Sequence, residues 1–172
     1  MFSLDLAGLT GEGVRTMSGL ENFPRVTPFL WFDSNAEEAV DFYLSVFQNS
    51  RRLDEMRMPP EGDGTKGKAL TIAFELDGQR FTALNGGPMF KFNESVSFVV
   101  RCDSQEDIDY YWSKLTAGGS ESQCGWLKDK FGLSWQVVPA RIAELLSDPR
   151  AMQVLMGMKK IDIAELEKAA RS

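Results

Sequence analysis

The first third of the chain alternates between a strand-like and a helix-like arrangement of apolar residues. Residues 26–32 are apolar, β-branched or aromatic, and residues 34–37 form a capping-box pattern that predicts the start of a helix. Apolar side chains then recur with a period of 3.6 residues at Ala36, Val40, Tyr43 and Phe47. We therefore expect a helix that ends near Phe47 and packs with one face on a sheet.

Strand-like alternation follows this helix. Residues 53–58 are compatible with a short strand, and residues 59–68 form a loop rich in glycine and proline. Residues 69–76 alternate, and one face carries Leu70, Ile72, Phe74 and Leu76. The dipeptide Asp77-Gly78 predicts a tight hairpin turn into a strand at 79–84.

The same order of elements returns in the second half. Residues 95–101 alternate as a strand. Residues 103–106 cap a helix whose inward side chains are Ile108, Trp112 and Leu115. Two strands joined by a turn near 130–132 follow, and the second of them ends at Pro139. A shift of 68 residues places 38–43 over 106–111, and a shift of 54 places Gly78 over Gly132. The sequence therefore predicts an α+β fold in which two tandem βαβββ modules form a curved, barrel-like mixed sheet.

This pattern divides the chain into four parts. We expect an N-terminal extension at 1–24, a first module at 25–90, a second module at 91–139 and a helical tail at 140–172. Met17 is a candidate natural start, so residues 1–16 are expected to be dispensable for the fold.

Two cap patterns predict the helices of the tail. One is Asp148 followed by Pro149, and the other is Asp162 with Glu165, stapled by Ile161 and Leu166. We expect the tail to contribute to a homodimer contact, with Met152 and Met156 turned inward. The expected contact residues are Val154, Leu155 and Met158.

Charge and residue usage exclude several classes of function. The formal charge is −6 and no basic stripe is present, which argues against a nucleic-acid partner. No apolar run reaches the ~18 residues of a membrane span. The histidine count is zero, so mechanisms of the Ser-His-Asp and Cys-His types are excluded. With two cysteines and an acidic start unlike a signal peptide, we expect a cytoplasmic protein.

Four stretches carry a resemblance to a known family: residues 28–32, 83–88, 124–136 and 160–163. They resemble the PhnB-like branch of the vicinal oxygen chelate superfamily, which includes glyoxalases, bleomycin resistance proteins and dioxygenases. That branch is commonly labelled 3-demethylubiquinone-9 3-methyltransferase. The resemblance extends over about residues 25–170.

The resemblance implies where a metal ion would lie. In the superfamily a metal is held between the modules by the first and last strands of each, and the matching positions here are Thr27, Thr82, Ser95 and Gln136. Pro28 is the alternative to Thr27 if the first strand is shifted by one residue. Neutral hydroxyls and one amide are weak ligands for a divalent cation. We therefore expect no metal and no cofactor.

Alternation of period 2 indicates which side chains face a cleft between the modules. If Thr27 points inward, the same face carries Phe29, Trp31, Thr82, Leu84, Ser95, Ser97 and Gln136. These are the candidate ligand-binding residues, and they would form a cleft with aromatic walls and neutral polar groups. The alternative is that Phe29 and Trp31 fill the barrel.

Two further residues are candidates for catalysis. Glu94 is a carboxylate near the cleft mouth and a possible general base, with a rim charge as the alternative. Cys124 is a possible nucleophile, with a structural thiol as the alternative because no histidine can activate it.

Two functional hypotheses remain open. The first is a protein that binds a small organic ligand in a metal-free aromatic cleft. The second is an enzyme of the superfamily, either a methyltransferase as the family label states or a glyoxalase-like or dioxygenase-like enzyme. A Rossmann-type methyl-donor site needs a glycine-rich turn before a helix, and the nearest match, at 62–68, precedes a strand pattern instead.

Overall fold

The computed structural model describes residues 23–59 and 67–171, which form two four-stranded sheets and five helices. The elements of the first half are β1 (Phe29–Phe32), α1 (Ala36–Val46), β2 (Ser50–Arg57), β3 (Ala69–Leu76) and β4 (Gln79–Asn85). Those of the second half are β5 (Ser97–Cys102), α2 (Gln105–Thr116), β6 (Ser120–Glu121), β7 (Trp126–Lys128) and β8 (Ser134–Pro139). The tail contains α3 (Ile142–Leu145), α4 (Pro149–Leu155) and α5 (Ile163–Arg171).

Both sheets have the same topology. Sheet A has the strand order β1-β4-β3-β2, and sheet B has the order β5-β8-β7-β6. In each sheet the first strand pairs in parallel with the last, and the remaining pairs are antiparallel. The predicted α+β fold of two βαβββ modules with a helical tail is confirmed.

Three strand starts differ from the prediction. Strand β1 starts at Phe29 rather than at residue 26. Strand β2 starts at Ser50 rather than at residue 53, because it pairs with β3 over its whole length. Strand β5 starts at Ser97, and the preceding Ser95 instead binds Asn93 through its backbone N–H and its hydroxyl. Met17 with residues 1–16, and most of the loop at 59–68, lie outside the described residues.

Helix α1 buries the predicted stripe, but its predicted capping box is wrong. The N-cap residue Asn35 makes no side-chain cap hydrogen bond. Oδ1 of Asn85 accepts a hydrogen bond of 2.8 Å from the Ala36 backbone N–H instead, and Nδ2 of Asn85 donates to the Ala69 carbonyl at 2.8 Å. Parallel pairing sets Asn85 beside Phe32, the last residue of β1, and so brings this amide to the helix start.

Helix α2 has a capping box at its own N-terminus, one residue further along the chain than the predicted pattern at 103–106. The Ser104 side chain accepts from the Asp107 backbone N–H, and the Asp107 carboxylate accepts from the Ser104 backbone N–H. Strands β1 and β5 start at residues 29 and 97, which are 68 apart. The N-caps at 35 and 104 are 69 apart, so the second copy has one extra residue before its helix.

The two helix-bearing sheet faces share one core. Tyr43 of α1 lies 6.3 Å from Phe74 of sheet A and 5.6 Å from Trp135 of sheet B, measured between ring centroids. Phe81 of β4 and Phe98 of β5 also meet, at 5.1 Å. Both helices therefore lie between the sheets, and the opposite face of each sheet lies on the outside of the chain.

A buried carboxylate joins the two modules at this core. Asp129, in the loop between β7 and β8, is 3% exposed. Its Oδ2 accepts hydrogen bonds of 2.8 Å from the Tyr43 hydroxyl and from Trp135 Nε1. Its Oδ1 accepts from the backbone N–H groups of Phe131 and Leu133 at 2.8 and 3.1 Å. All four partners donate, which suits an ionised carboxylate.

Burial and hydrogen bonding act in opposite directions on this carboxylate. Burial raises the pKa of Asp129, while Trp135, Tyr43 and the two backbone donors oppose that rise. The pKa of Tyr43 is raised well above its ordinary value, first by burial and then by the charge of Asp129. Tyr43 therefore stays protonated and available as a donor.

The caps predicted for the tail are confirmed, but the orientation of its methionines is not. Asp148 accepts from the Arg150 backbone N–H, and Asp162 accepts from that of Glu165. The buried face of α4 carries Ala151 and Leu155. Met152 comes directly after Ala151, and Met156 directly after Leu155, so their side chains point away from the buried face. Both are exposed, and their predicted inward orientation is therefore wrong.

The tail is attached to the second module by polar contacts. Met158, like Leu155, is buried within the tail core and is not free for the predicted subunit contact, whereas Val154 is exposed. The Met158 carbonyl accepts from the Cys124 backbone N–H at 2.8 Å. The Gln105 amide of α2 binds both the Ile161 carbonyl and the Ile163 backbone N–H.

Among the described residues, no helix is both long and apolar enough to cross a membrane.

Replacing Asn85 with alanine is expected to lower the free energy of unfolding by about 1–3 kcal/mol, because the α1 N-terminus and the Ala69 carbonyl each lose a partner. Asn35→Ala is the matched control and should change that free energy by less than about 0.5 kcal/mol. Urea unfolding of both variants measures the difference. Equal losses would show that Asn85 is not the cap.

Asp129→Asn keeps the size of the side chain but turns an NH2 group toward donors. We expect the free energy of unfolding to fall by about 2–4 kcal/mol, since hydrogen bonds to a buried charge are lost. Asp103→Asn, at an exposed carboxylate, is the control and should be nearly neutral. Thermal and urea unfolding measure both, and a stable Asp129→Asn protein would contradict the role given to this carboxylate.

Candidate functional site

The outer face of sheet A carries four of the residues predicted to bind a ligand. Phe29 and Trp31 of β1 lie beside Thr82 and Leu84 of β4 in the parallel register. Phe29 is 56% exposed, whereas Thr82 is buried. The structure therefore brings these four side chains together as an aromatic and aliphatic surface with one hydroxyl.

Trp31 is fixed in place by the turn that follows β4. Its Nε1 donates a 2.8 Å hydrogen bond to the Gly87 carbonyl, and its ring meets Phe90 edge-on at 5.0 Å. A Cβ atom at Gly86 would lie 2.4 Å from the Trp31 ring, so only glycine fits there. Gly87 has a φ of +85°, which also favours glycine. This turn therefore sets the orientation of the indole.

Thr27 and Ser95 hold equivalent positions, each two residues before the first strand of its module. The Thr27 hydroxyl donates to the Pro24 carbonyl at 3.0 Å, and the Ser95 hydroxyl donates to the Asn93 side chain. Both hydroxyls are therefore engaged in local turns at the strand entrances.

The outer face of sheet B is more polar. Nε2 of Gln136 on β8 donates a 2.9 Å hydrogen bond to the hydroxyl of Ser97 on β5. Val99 follows on the same face of β5 and is 59% exposed. Ser134 lies beside Ser97, is 1% exposed, and its Oγ has no hydrogen-bond partner among the described residues. A buried hydroxyl in this state has an unused bonding capacity.

Glu94 forms an ion pair with Lys128, the last residue of β7, at 2.5 Å. The hydrogen bond from Lys128 lowers the pKa of Glu94 below its ordinary value. A general base that works near neutral pH needs a raised value instead. Glu94 is exposed and lies before β5, which fits a charged rim residue.

Cys124 lies under the end of α4. Its thiol points to the Leu155 carbonyl at 3.5 Å and to the Met156 sulfur at 3.9 Å. Its φ of +58° is the conformation that lets residues 124 and 125 bind the tail backbone. Within residues 23–59 and 67–171, no cation or general base contacts this thiol, so the geometry fits a structural role.

The candidate residues form two sets within one chain. Phe29, Trp31, Thr82 and Leu84 lie on the outer face of sheet A, whereas Ser97 and Gln136 lie on that of sheet B. Because the helices lie between the sheets, these faces do not form a common cleft in a single chain. Val99 and Trp126 lie on the same outer face as Gln136 but are not among the predicted residues. The alternation that starts at Ser97 indicates Val99 as well.

The residues at the superfamily's metal positions do not suit a divalent cation. Thr27, Thr82, Ser95 and Gln136 offer only neutral oxygens, and they are divided between the two modules. In the part of the chain that the structure describes, no group of three or more aspartate, glutamate, cysteine or histidine side chains could hold a metal ion.

Comparison with known proteins identifies the fold and the family. The family model described as 3-demethylubiquinone-9 3-methyltransferase matches residues 24–138. The solved structure of a putative 3-demethylubiquinone-9 3-methyltransferase, the PhnB protein from Bacillus cereus, is 33% identical and has a TM-score of 0.62. The alignment covers 68% of this chain and 100% of that one. No curated protein matches the chain.

Two more distant structures share the fold alone. Protein PA1353 from Pseudomonas aeruginosa is 20% identical with a TM-score of 0.56, and the match covers 68% of this chain and 98% of that one. The fosfomycin resistance protein FosX from Mesorhizobium loti is 11% identical with a TM-score of 0.52, covering 73% and 98%.

Paired βαβββ modules of this topology define the glyoxalase/bleomycin resistance fold of the vicinal oxygen chelate superfamily. Since the family model matches well over half of its residues, the chain belongs to the 3-demethylubiquinone-9 3-methyltransferase-like (PhnB) family. The resemblance described from the sequence is thereby confirmed.

Gly86→Ala is expected to displace the Trp31 indole and to lower the free energy of unfolding by about 1–3 kcal/mol, because the new methyl group overlaps the ring. The indole N–H resonance of Trp31 should shift as its bond to Gly87 is lost. Gly157→Ala is the matched control, since the nearest atom to its Cβ is 3.5 Å away. An unchanged Trp31 resonance in Gly86→Ala would contradict this account.

Proposed function

We propose that the protein binds a small organic molecule in a cleft between two copies of the chain. The outer face of sheet A from one subunit would form one wall, and the outer face of sheet B from the second subunit would form the other. The observation that carries this proposal is the exposure of both faces: Phe29 is 56% and Val99 is 59% exposed. Apolar side chains at this exposure on opposite sides of one chain are typical of interaction surfaces.

The strand order supports a second copy as the missing half. Strands β1 and β5 are the terminal strands of their sheets, and each has one edge without a strand partner among the described residues. Unpaired edges of this kind favour association with another strand. A two-fold pairing of β1 with β5 of the partner would unite the two kinds of outer face and close both edges.

The side chains indicate the chemistry of the ligand. Phe29, Trp31 and Leu84 offer aromatic and aliphatic contact, while the Gln136 amide and the Ser97 hydroxyl offer hydrogen bonds. A partly apolar, uncharged organic molecule with a few hydrogen-bonding groups fits this surface. We propose that it binds without a metal ion and without a cofactor.

The enzymatic alternative has less support. Glu94 is paired with Lys128, which makes it a weaker base, and Cys124 has no activating neighbour among the described residues. A methyltransferase, glyoxalase-like or dioxygenase-like reaction therefore has no identified catalytic group in this geometry.

We place the protein in the cytoplasm as a homodimer that does not bind nucleic acid. Cys102 and Cys124 are both free thiols, which suits a reducing compartment. The acidic net charge of −6 disfavours binding to phosphate backbones.

Sedimentation velocity and ligand screening test the proposal together. The 19.3 kDa chain should sediment as a dimer at micromolar concentration. Phe29→Glu and Val99→Glu, on the two different outer faces, should each shift it toward monomer, because charge would be buried. Met152→Glu changes an exposed apolar residue of α4 and should leave the dimer intact.

A thermal-shift screen of small uncharged organic compounds, with the dimer as target, tests ligand binding. A compound at 100 times its Kd stabilises the folded state by about 2.7 kcal/mol. Its effect should be lost in Phe29→Glu and retained in Met152→Glu. Three results would each overturn the proposal. The wild-type protein could be a monomer, the compounds could stabilise Phe29→Glu as much as the wild type, or untagged protein could contain stoichiometric zinc, nickel or iron.

A further inference from the structure

The last strand of the first module, β4, ends in the dipeptide Asn85-Gly86. The Asn85 side chain uses both ends of its amide. Its Oδ1 accepts a hydrogen bond from the Ala36 backbone N–H, and its Nδ2 donates one to the Ala69 carbonyl, each at 2.8 Å. An aspartate at this position would have no donor for the carbonyl. The fold therefore requires an amide at position 85.

The next position requires glycine for an unrelated reason. A Cβ atom on Gly86 would lie 2.4, 2.5 and 2.7 Å from three adjacent atoms of the Trp31 indole, namely Cε2, Cζ2 and Cδ2. The Gly86 backbone therefore lies over a face of the ring. A larger residue would displace Trp31, whose Nε1 is bound to the Gly87 carbonyl. Two independent packing requirements thus place asparagine directly before glycine.

Asparagine followed by glycine is the pair of residues most prone to lose its side-chain amide. The backbone nitrogen of Gly86 forms a bond to Cγ of Asn85, and the bond between Cγ and Nδ2 breaks. The departing group takes the proton of the backbone nitrogen and leaves as ammonia. Water, the one co-reactant, then opens the five-membered imide at either carbonyl carbon to give aspartate or isoaspartate. Glycine favours the first step because no Cβ atom shields its nitrogen.

In the folded chain the reacting atoms are held apart. The Gly86 N–H donates a 2.8 Å hydrogen bond to the Phe32 carbonyl of β1, in the plane of the sheet. The Asn85 side chain leaves that plane toward α1, where its amide binds Ala36 and Ala69. Ring closure needs rotation about the Asn85 backbone and side chain, and this rotation breaks all of these hydrogen bonds. The reaction therefore requires β4 to separate locally from β1.

Either product would hinder the first module from closing again. An aspartate at position 85 still accepts from the Ala36 N–H, but its second oxygen faces the Ala69 carbonyl and repels it. An isoaspartate adds a methylene group to the main chain just before Gly86. That insertion moves the turn that positions the Trp31 indole.

The second module has no equivalent of this dipeptide. The shift of 54 residues that relates the two closing strands sets Asn85 over Pro139 and Gly86 over Ala140. Helix α2 receives its cap from Ser104 at its own N-terminus, so no amide from the closing strand is needed there. The chemistry is therefore confined to the junction of β4 with β1 and α1.

We propose that Asn85-Gly86 is a modification site that records the opening of the first module. The folded state preserves the amide, and separation of β4 from β1 releases it to cyclise, lose ammonia and take up water. The change is irreversible, because the ammonia is lost and the imide is hydrolysed. A chain that opens often is thereby converted to a form whose first module is less stable.

Mass spectrometry of the full-length chain, incubated at mildly alkaline pH, tests the proposal. Asn85 should lose its amide at least about tenfold more slowly in the folded protein than in protein unfolded by urea. Ala83→Gly weakens β4 and should raise the rate in the folded protein about three- to tenfold. Ala151→Gly is the matched control at an equally buried residue of α4, and it should leave the rate unchanged. Equal rates in folded and unfolded protein, or equal rates in the two variants, would overturn the proposal.

Asn85→Asp reproduces the aspartate product for a stability measurement. We expect its midpoint of thermal unfolding to lie at least about 3 °C below that of the wild type, because the Ala69 carbonyl loses its donor. Asn35→Asp adds the same charge at the exposed N-cap of α1 and should not lower the midpoint. An Asn85→Asp protein as stable as the wild type would also overturn the proposal.

Discussion

The hydrogen bonds around Asp129 determine how the two modules of the chain are joined. The carboxylate belongs to the second module, yet one of its donors, Tyr43, belongs to the helix of the first. A buried charge needs its donors in fixed positions, because losing one leaves the charge unsatisfied. The contact therefore holds α1 against the inner face of sheet B and commits both helices to the space between the sheets.

The location of the outer faces follows from this constraint. Once the helix-bearing faces share a core, the faces with Phe29 and Trp31 and with Ser97 and Gln136 must lie on the outside. One internal hydrogen-bond cluster thus helps to fix the position of both exposed faces.

Local patterns in the sequence predicted most of the elements but not their long-range contacts. The stripe on α1, the cap of α2 and the turn at Asp77-Gly78 each depend on neighbouring residues, and the structure contains all three. The cap of α1 was missed because its amide comes from Asn85, far along the chain. The contact of Asp129 with Tyr43 could not be predicted, since nothing near Asp129 in the sequence indicates Tyr43. The division of the candidate site between two sheets likewise depends on how the modules pack, which periodicity alone does not determine.

The source of each helix cap has a consequence for the order of folding. Helix α2 carries Ser104 and Asp107 in its own first turn, so its nucleus can form from adjacent residues. Helix α1 receives its cap from Asn85, 49 residues beyond Ala36, and this amide is in place only after β4 has paired with β1. Contacts between residues so distant in sequence slow folding, because a long loop must close first. We therefore expect α2 to form ahead of α1, whose cap is complete only when β4 has docked.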